Sequence, residues 1–241
     1  MIRRQVTLAA AALALASASA GAQATWTDYF GALFGAAKPS QTKVVAALRQ
    51  TLKAGADSAV SELGQSGGYW HSKAFRIPLP PGLQQIQEAV GMVGESDQLT
   101  RFQHRLNHAA QVATAEAGSI FQDAISHLTL ADAYGILRGP DDAATVYLRK
   151  HSNSALRQRM VPIVREAIAS SGAARAYEHI TGRENRLSSI VAITDFGVDL
   201  VSYVTDYALD RIFKVIAHKE AAIRAHPGAS GNALLREVFS S

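Results

Sequence analysis

Apolar residues recur at three- and four-residue steps along most of this chain, and no segment alternates apolar with polar positions between turn signals. Val45, Leu48, Leu52, Ala56, Ala59 and Leu63 predict a helix over 40–63, with Ser40 as its N-cap and Gly64 where a C′ glycine belongs. A loop over 65–81 follows, punctuated by Gly67, Gly68, Pro78, Pro80 and Pro81. Its aromatics Tyr69, Trp70 and Phe75 are expected to pin it to the core. Leu99, Phe102, Leu106, Ala109, Ala113, Ala117, Ile120, Ala124 and Leu128 make one apolar stripe, which predicts a single long helix over 97–128. Many of these residues are alanines, so a neighbouring helix can approach closely.

Thr129 is expected to cap the next helix, with Asp132 completing a capping-box variant. Arg138-Gly139-Pro140 ends that helix, and Asp141 or Asp142 caps the one after it. Residues 154–170 read as helical with Pro162 inside, so a kink or restart is expected where the carbonyl of Gln158 loses its partner. Residues 187–225 read as one long helix or two consecutive ones, with Leu200, Val204, Ala208, Ile212 and Ile216 on the inner face. Glu220 and Arg224 are four apart in the favourable order and read as a surface pair. Pro227-Gly228 stops the run, and a short amphipathic helix over 232–239 closes the chain. The pattern predicts an all-α fold: a single domain built as an irregular multi-helix bundle of about eight helices.

The first residues differ in kind. Arg3 and Arg4 are followed by an apolar run over 6–16, and Ala20-Gly21-Ala22 places small residues where signal peptidase reads them. This predicts a signal peptide over 1–22 with cleavage before Gln23, then an N-terminal arm over 23–39 and a helical domain over 40–241. The apolar run is shorter than the roughly 20 residues a membrane span needs. Losing Arg3 and Arg4 lowers the formal charge from +4 to +2. With no cluster of Lys and Arg interleaved with aromatics, nucleic acid is not indicated as a partner. The chain has no cysteine, so the core alone must hold it, without disulfides and without a lipoprotein anchor. The most apolar late stretch is broken by Asp195, Asp199, Asp206 and Asp210. The expectation is a periplasmic or secreted protein.

Several short elements carry a resemblance. Ile120-Phe121-Gln122-Asp123-Ala124-Ile125 is followed by Leu130-Ala131-Asp132-Ala133, Ile136-Leu137, Gly139 and a run from Asp141 through Tyr147. Ile77-Pro78-Leu79-Pro80 precedes a helix, and Leu106-Asn107-His108-Ala109-Ala110 stands in the helix after it. Tyr203-Val204-Thr205-Asp206, Ala208-Leu209-Asp210, Phe213, Glu220, Ile223, Arg224 and Pro227 follow, and then Leu234-Leu235 and Val238-Phe239. In order and spacing these elements resemble the domain of unknown function 4197 family of bacterial exported proteins, over roughly residues 44–239. The chain departs from that pattern at His108, Gln111 and Arg211, where arginine, glutamate and glycine are usual. The resemblance implies a helical exported protein and implies no reaction.

No complete catalytic set is visible. Gly64-Gln65-Ser66-Gly67-Gly68 fits the nucleophile-elbow pattern, but it follows a helix where the chemistry needs a strand. Ser40-Gln41-Thr42-Lys43 fits S-x-x-K at a helix start, and an N-cap serine explains it. His104 and His108 could face one metal, but the residue after the first is Arg105 rather than the glutamate of a zinc protease. They read as a solvated pair, and no cofactor is expected.

The acidic residues are more informative. Asp132, Asp141 and Asp142 stand at helix starts, where carboxylates bond free amides. Asp123 and Asp206 lie within helices, where no cap is needed. Should the helices bring them together with Asn107, Asp142, Thr145, Tyr147 and Tyr203, they would line a polar ligand pocket. Three function classes follow: a binding or adaptor protein taking an envelope protein or small ligand in an inter-helix groove; a hydrolase or metal-dependent enzyme built on Asp123 and Asp206; or a membrane-surface protein using Trp26, Tyr29, Phe30, Leu33 and Phe34 in 26–34 as an amphipathic foot.

Overall fold

The computed structural model of the protein describes residues 38–91, 97–181 and 198–240. The expected signal peptide over 1–22, the arm as far as residue 37 with its aromatic segment 26–34, and the start of the expected helix over 187–197 lie outside the described residues.

The chain enters α1 (Gln41–Leu63) at Ser40, whose hydroxyl accepts the N–H of Lys43 at 3.4 Å. The helices that follow are α2 (Pro81–Gly91), α3 (Asp97–Glu116), α4 (Gly118–His127), α5 (Ala133–Leu137), α6 (Ala143–Ser171), α7 (Ala173–Thr181) and α8 (Leu200–Ala225). A 3-10 turn (Pro227–Ser230) leads to α9 (Ala233–Phe239), which Asn232 caps by accepting from Leu234 and Leu235. Among the described residues there is no strand, and the helices form a single all-α domain.

α1 packs on α8, α8 on α6 and α6 on α3, so these four elements build the core in that order. Leu48, Leu52, Phe102, Leu148, Val204 and Ile216 meet there and are fully or almost fully buried. A Cβ on Gly55 would stand 2.9 Å from Ile216 Cγ2, so α1 and α8 approach more closely there than a larger residue permits. Burial on this scale supplies the main favourable term, because apolar area leaves water.

The expected single helix over 97–128 is two helices. The ladder breaks at Ala117, whose N–H bonds the Thr114 carbonyl at 3.1 Å, and α4 restarts on Gly118. Glycine is a poor helix interior residue, and Gly118 faces Val60 of α1, so the break turns α4 onto α1. The apolar stripe continues across the break because both helices pack on the same neighbours.

Thr129 caps no helix. Asp132 is the N-cap of α5, accepting from the Gly135 N–H at 2.8 Å, and the Thr129 carbonyl accepts a hydrogen bond from Tyr147. Gly64 keeps a right-handed φ of −77°, and the left-handed turn falls later, at Gly67 with φ 76°. α6 runs on through Pro162 without a restart and ends on left-handed Gly172.

The largest departure concerns Glu220 and Arg224, which are buried rather than at the surface. One Glu220 oxygen accepts from Ala144 N–H at 2.9 Å, and the other from Thr145 N–H at 2.7 Å and Thr145 Oγ1 at 2.6 Å. Glu220 therefore caps the start of α6 from across the fold. Asp142 occupies the N-cap position but makes no side-chain cap bond. Arg224 bonds Glu220 at 2.8 Å and donates to the carbonyls of Leu137 and Ile136 at 2.8 and 3.1 Å. This one ion pair thus satisfies the orphan carbonyls of α5 and the orphan amides of α6.

α8 begins on Asp199, which accepts from Val201 and Ser202 N–H at 3.0 and 3.3 Å. The Ser202 hydroxyl, donating at 2.6 Å, and then these amides hold the Asp199 carboxyl below its ordinary 3.8. A depressed folded value means the cap's charge-dependent contribution is full above pH 4 or so and fades as pH falls through it. Asp199→Ala is expected to cost about 1 kcal/mol at neutral pH. The gap to the parent should narrow in urea unfolding at pH 3, and an equal gap at both pH values would contradict the assignment.

Candidate functional site: the groove between α4 and α6

Asp123 and His127 lie one turn apart on α4. Tyr147, His151, Ala155 and Arg159 lie four apart on α6 and so form one stripe down that helix. The two rows border an open groove of about 460 Å³, whose lining also includes Thr129 and Ser152.

The groove's polar groups hold one another in place. The Asp123 carboxylate pairs with the Arg159 guanidinium and stands 3.2 Å from His127 Nδ1. The Tyr147 hydroxyl donates to the Thr129 carbonyl at 2.6 Å. The Tyr147 and His151 rings stack with centroids 3.9 Å apart, and His151 Nδ1 lies 2.8 Å from the Tyr147 carbonyl. Each histidine is thus held through Nδ1 while Nε2 has no protein partner among the described residues. The groove therefore offers a carboxylate, a guanidinium and two imidazole edges, all on exposed side chains. Ser152 is buried in the same groove but bonds neither histidine, so no nucleophile–base pair is formed.

The residues expected to converge are distributed over several places. Asp123 and Tyr147 share the groove. Asp206 is exposed on α8 and pairs with Arg157 at 2.8 Å. Arg157 and Arg159 are two residues apart, about 200° around α6, so Asp206 and Asp123 lie against different sides of that helix. Thr145 and Asp142 stand at the start of α6, Thr145 under Glu220. Asn107 and Tyr203 meet elsewhere, on the 77–79 strap.

That strap is fastened from both sides. Buried Asn107 accepts from Ile77 N–H at 2.8 Å and donates to the carbonyls of Ile77 and Gln103 at 3.0 and 2.8 Å. The Tyr203 hydroxyl donates to the carbonyls of Pro78 and Leu79, both at 3.1 Å. Burial raises the Tyr203 pKa, and the neighbouring Tyr207 hydroxyl raises it further, so Tyr203 stays a protonated donor. Earlier in the loop, Tyr69 reaches buried Thr114 at 2.7 Å and Gly67 N–H donates to the Gln111 side-chain oxygen at 3.0 Å. Ser66 thus sits in a loop tied to α3, with no strand before it.

The model of the family described as "Protein of unknown function (DUF4197)" matches residues 38–240. The chain belongs to that family. The match spans every described helix, so the groove, the strap and the Glu220–Arg224 pair all lie inside the family domain. No curated protein and no solved structure matches.

Sequence reasoning missed His127, His151, Ser152 and Arg159. The signal was present in the four-residue ladder Tyr147, His151, Ala155, Arg159, polar except at alanine, opposite the four-residue pair Asp123, His127. The described residues also border a cavity of about 390 Å³ where α1, α8 and α9 meet, and a depression of about 90 Å³ between the 66–71 loop and α3. No group of three or more His, Asp or Glu side chains among the described residues is placed to hold a metal ion. No described helix is long and apolar enough to cross a membrane.

Proposed function

We propose that this protein is an exported binding protein that holds a small polar ligand in the α4–α6 groove. The carrying observation is the groove itself: about 460 Å³, walled by Asp123, Arg159, His127, His151 and Tyr147. Its volume falls in the range of roughly 300–1,000 Å³ that small-molecule sites occupy, and its polar groups converge from two helices. The Asp123–Arg159 pair can open to meet a ligand's own charges, and the Tyr147–His151 stack offers a flat ring surface. The missing link between Ser152 and either histidine favours binding over hydrolysis. Export rests on Arg3, Arg4 and the Ala20-Gly21-Ala22 end of the leader. Protein recovered from the periplasm should begin at Gln23 on N-terminal sequencing.

The test is thermal unfolding against a panel of metals, nucleotides, sugars, lipids and peptidoglycan fragments. A compound that binds only the folded state stabilises it by about 2.7 kcal/mol at 100 times its dissociation constant. At least one compound should raise the midpoint, and Asp123→Ala and His151→Ala should each abolish that rise. A rise that survives both substitutions would remove the groove from the account.

A further inference from the structure

We propose that His104 and His108 form a two-imidazole site for a borderline divalent cation of the Cu²⁺, Ni²⁺ or Zn²⁺ class, separate from the α4–α6 groove. The two residues are one turn apart on α3 and line the same small depression with Ser66, Trp70, His71 and Gln111. An i,i+4 spacing on a helix puts two imidazoles on one face, the geometry in which a pair can grip one ion. Both side chains are exposed, and neither ring makes a hydrogen bond among the described residues. His104 is steadied by the edge of Trp70, with ring centroids 5.0 Å apart. Trp70 is itself anchored, since Arg76 stacks over its ring and donates to its carbonyl at 2.8 Å.

Size and chemistry select the ligand. The depression holds about 90 Å³, well below an organic ligand's needs of roughly 300 Å³ or more, yet enough for an ion with a few waters at about 30 Å³ each. Its lining carries no carboxylate, lysine or arginine. Neutral nitrogen donors without carboxylates favour Cu²⁺, Ni²⁺ and Zn²⁺ over Mg²⁺ and Ca²⁺, and Cu²⁺ most. His71 stands across the depression but is not placed with the other two to make a three-ligand set. Water therefore completes the coordination.

The test uses untagged protein and Cu²⁺. Calorimetric titration should find one site with affinity tighter than millimolar. Paramagnetic broadening should reach the His104 and His108 ring signals at lower Cu²⁺ than those of His127, His151, His179, His218 and His226. His104→Ala and His108→Ala should each weaken binding tenfold or more while leaving the metal-free unfolding midpoint in place. Asp123→Ala should bind Cu²⁺ as the parent does, which separates this site from the groove. Absence of sub-millimolar binding, broadening that starts at a histidine outside the depression, or either single variant binding like the parent would overturn the proposal.

Discussion

Glu220→Gln is expected to cost about 3–5 kcal/mol of folding stability, the loss typical of breaking a buried ion pair by removing one partner. The substitution leaves Arg224 as a buried charge without its counterion. It also replaces one of the two carboxylate oxygens that accept from Ala144 and Thr145 N–H with an NH2 that can only donate. Arg224→Met strands the other charge and should cost a similar amount, because the carbonyls of Leu137 and Ile136 lose their donor as well. Glu220→Gln combined with Arg224→Met should cost less than the sum of the single losses, since neither charge is then left alone. Urea unfolding of the three variants measures the coupling directly. A single loss under about 1 kcal/mol, the value of an exposed pair, would contradict the structural role.

Asn107→Ala is expected to cost about 3 kcal/mol and to release the 77–79 strap. Each lost hydrogen bond contributes about 1 kcal/mol net, and a buried amide left without an acceptor costs about 1–3 kcal/mol more. Asn107 serves both backbone groups of Ile77, and Gln103 Nε2 donates to the Ile77 carbonyl as well, at 3.1 Å, so the Ile77 N–H is the group left without a partner. Tyr203 still holds Pro78 and Leu79, which predicts local opening rather than loss of the fold. Hydrogen exchange should show the Ile77 amide losing protection while core amides of α1 and α8 keep theirs. Unchanged protection at Ile77 would contradict this role for Asn107.

The two residues behind these effects were visible in the sequence to different degrees. The all-helical fold follows from apolar spacing, and the cap at Ser40 from local chemistry. Glu220 extends the inner-face series of four-residue steps that passes through Ala208, Ile212 and Ile216. Its place in that series signals burial, but its partners at 144 and 145 are brought near only by tertiary packing of α8 on α6. The break at Ala117 was hidden because alanine and glycine interrupt no apolar stripe. The groove was half legible: Asp123 and Tyr147 were singled out, yet Asp206 was grouped with them. Helix spacing alone does not say on which side of α6 a residue from another helix will land. Asn107 and Tyr203 were legible as important polar residues, but their partners are backbone atoms of a proline-rich loop, which side-chain patterning does not reveal.

The α4–α6 groove is the proposed ligand site. Amide and side-chain NMR shifts of the protein titrated with a fragment library test it most directly. Binding fragments should shift signals from residues 123–129 and 147–159 together, and Asp123→Ala should remove those shifts. Shifts confined to the cavity where α1, α8 and α9 meet, or fragments that leave both stretches unmoved, would contradict it.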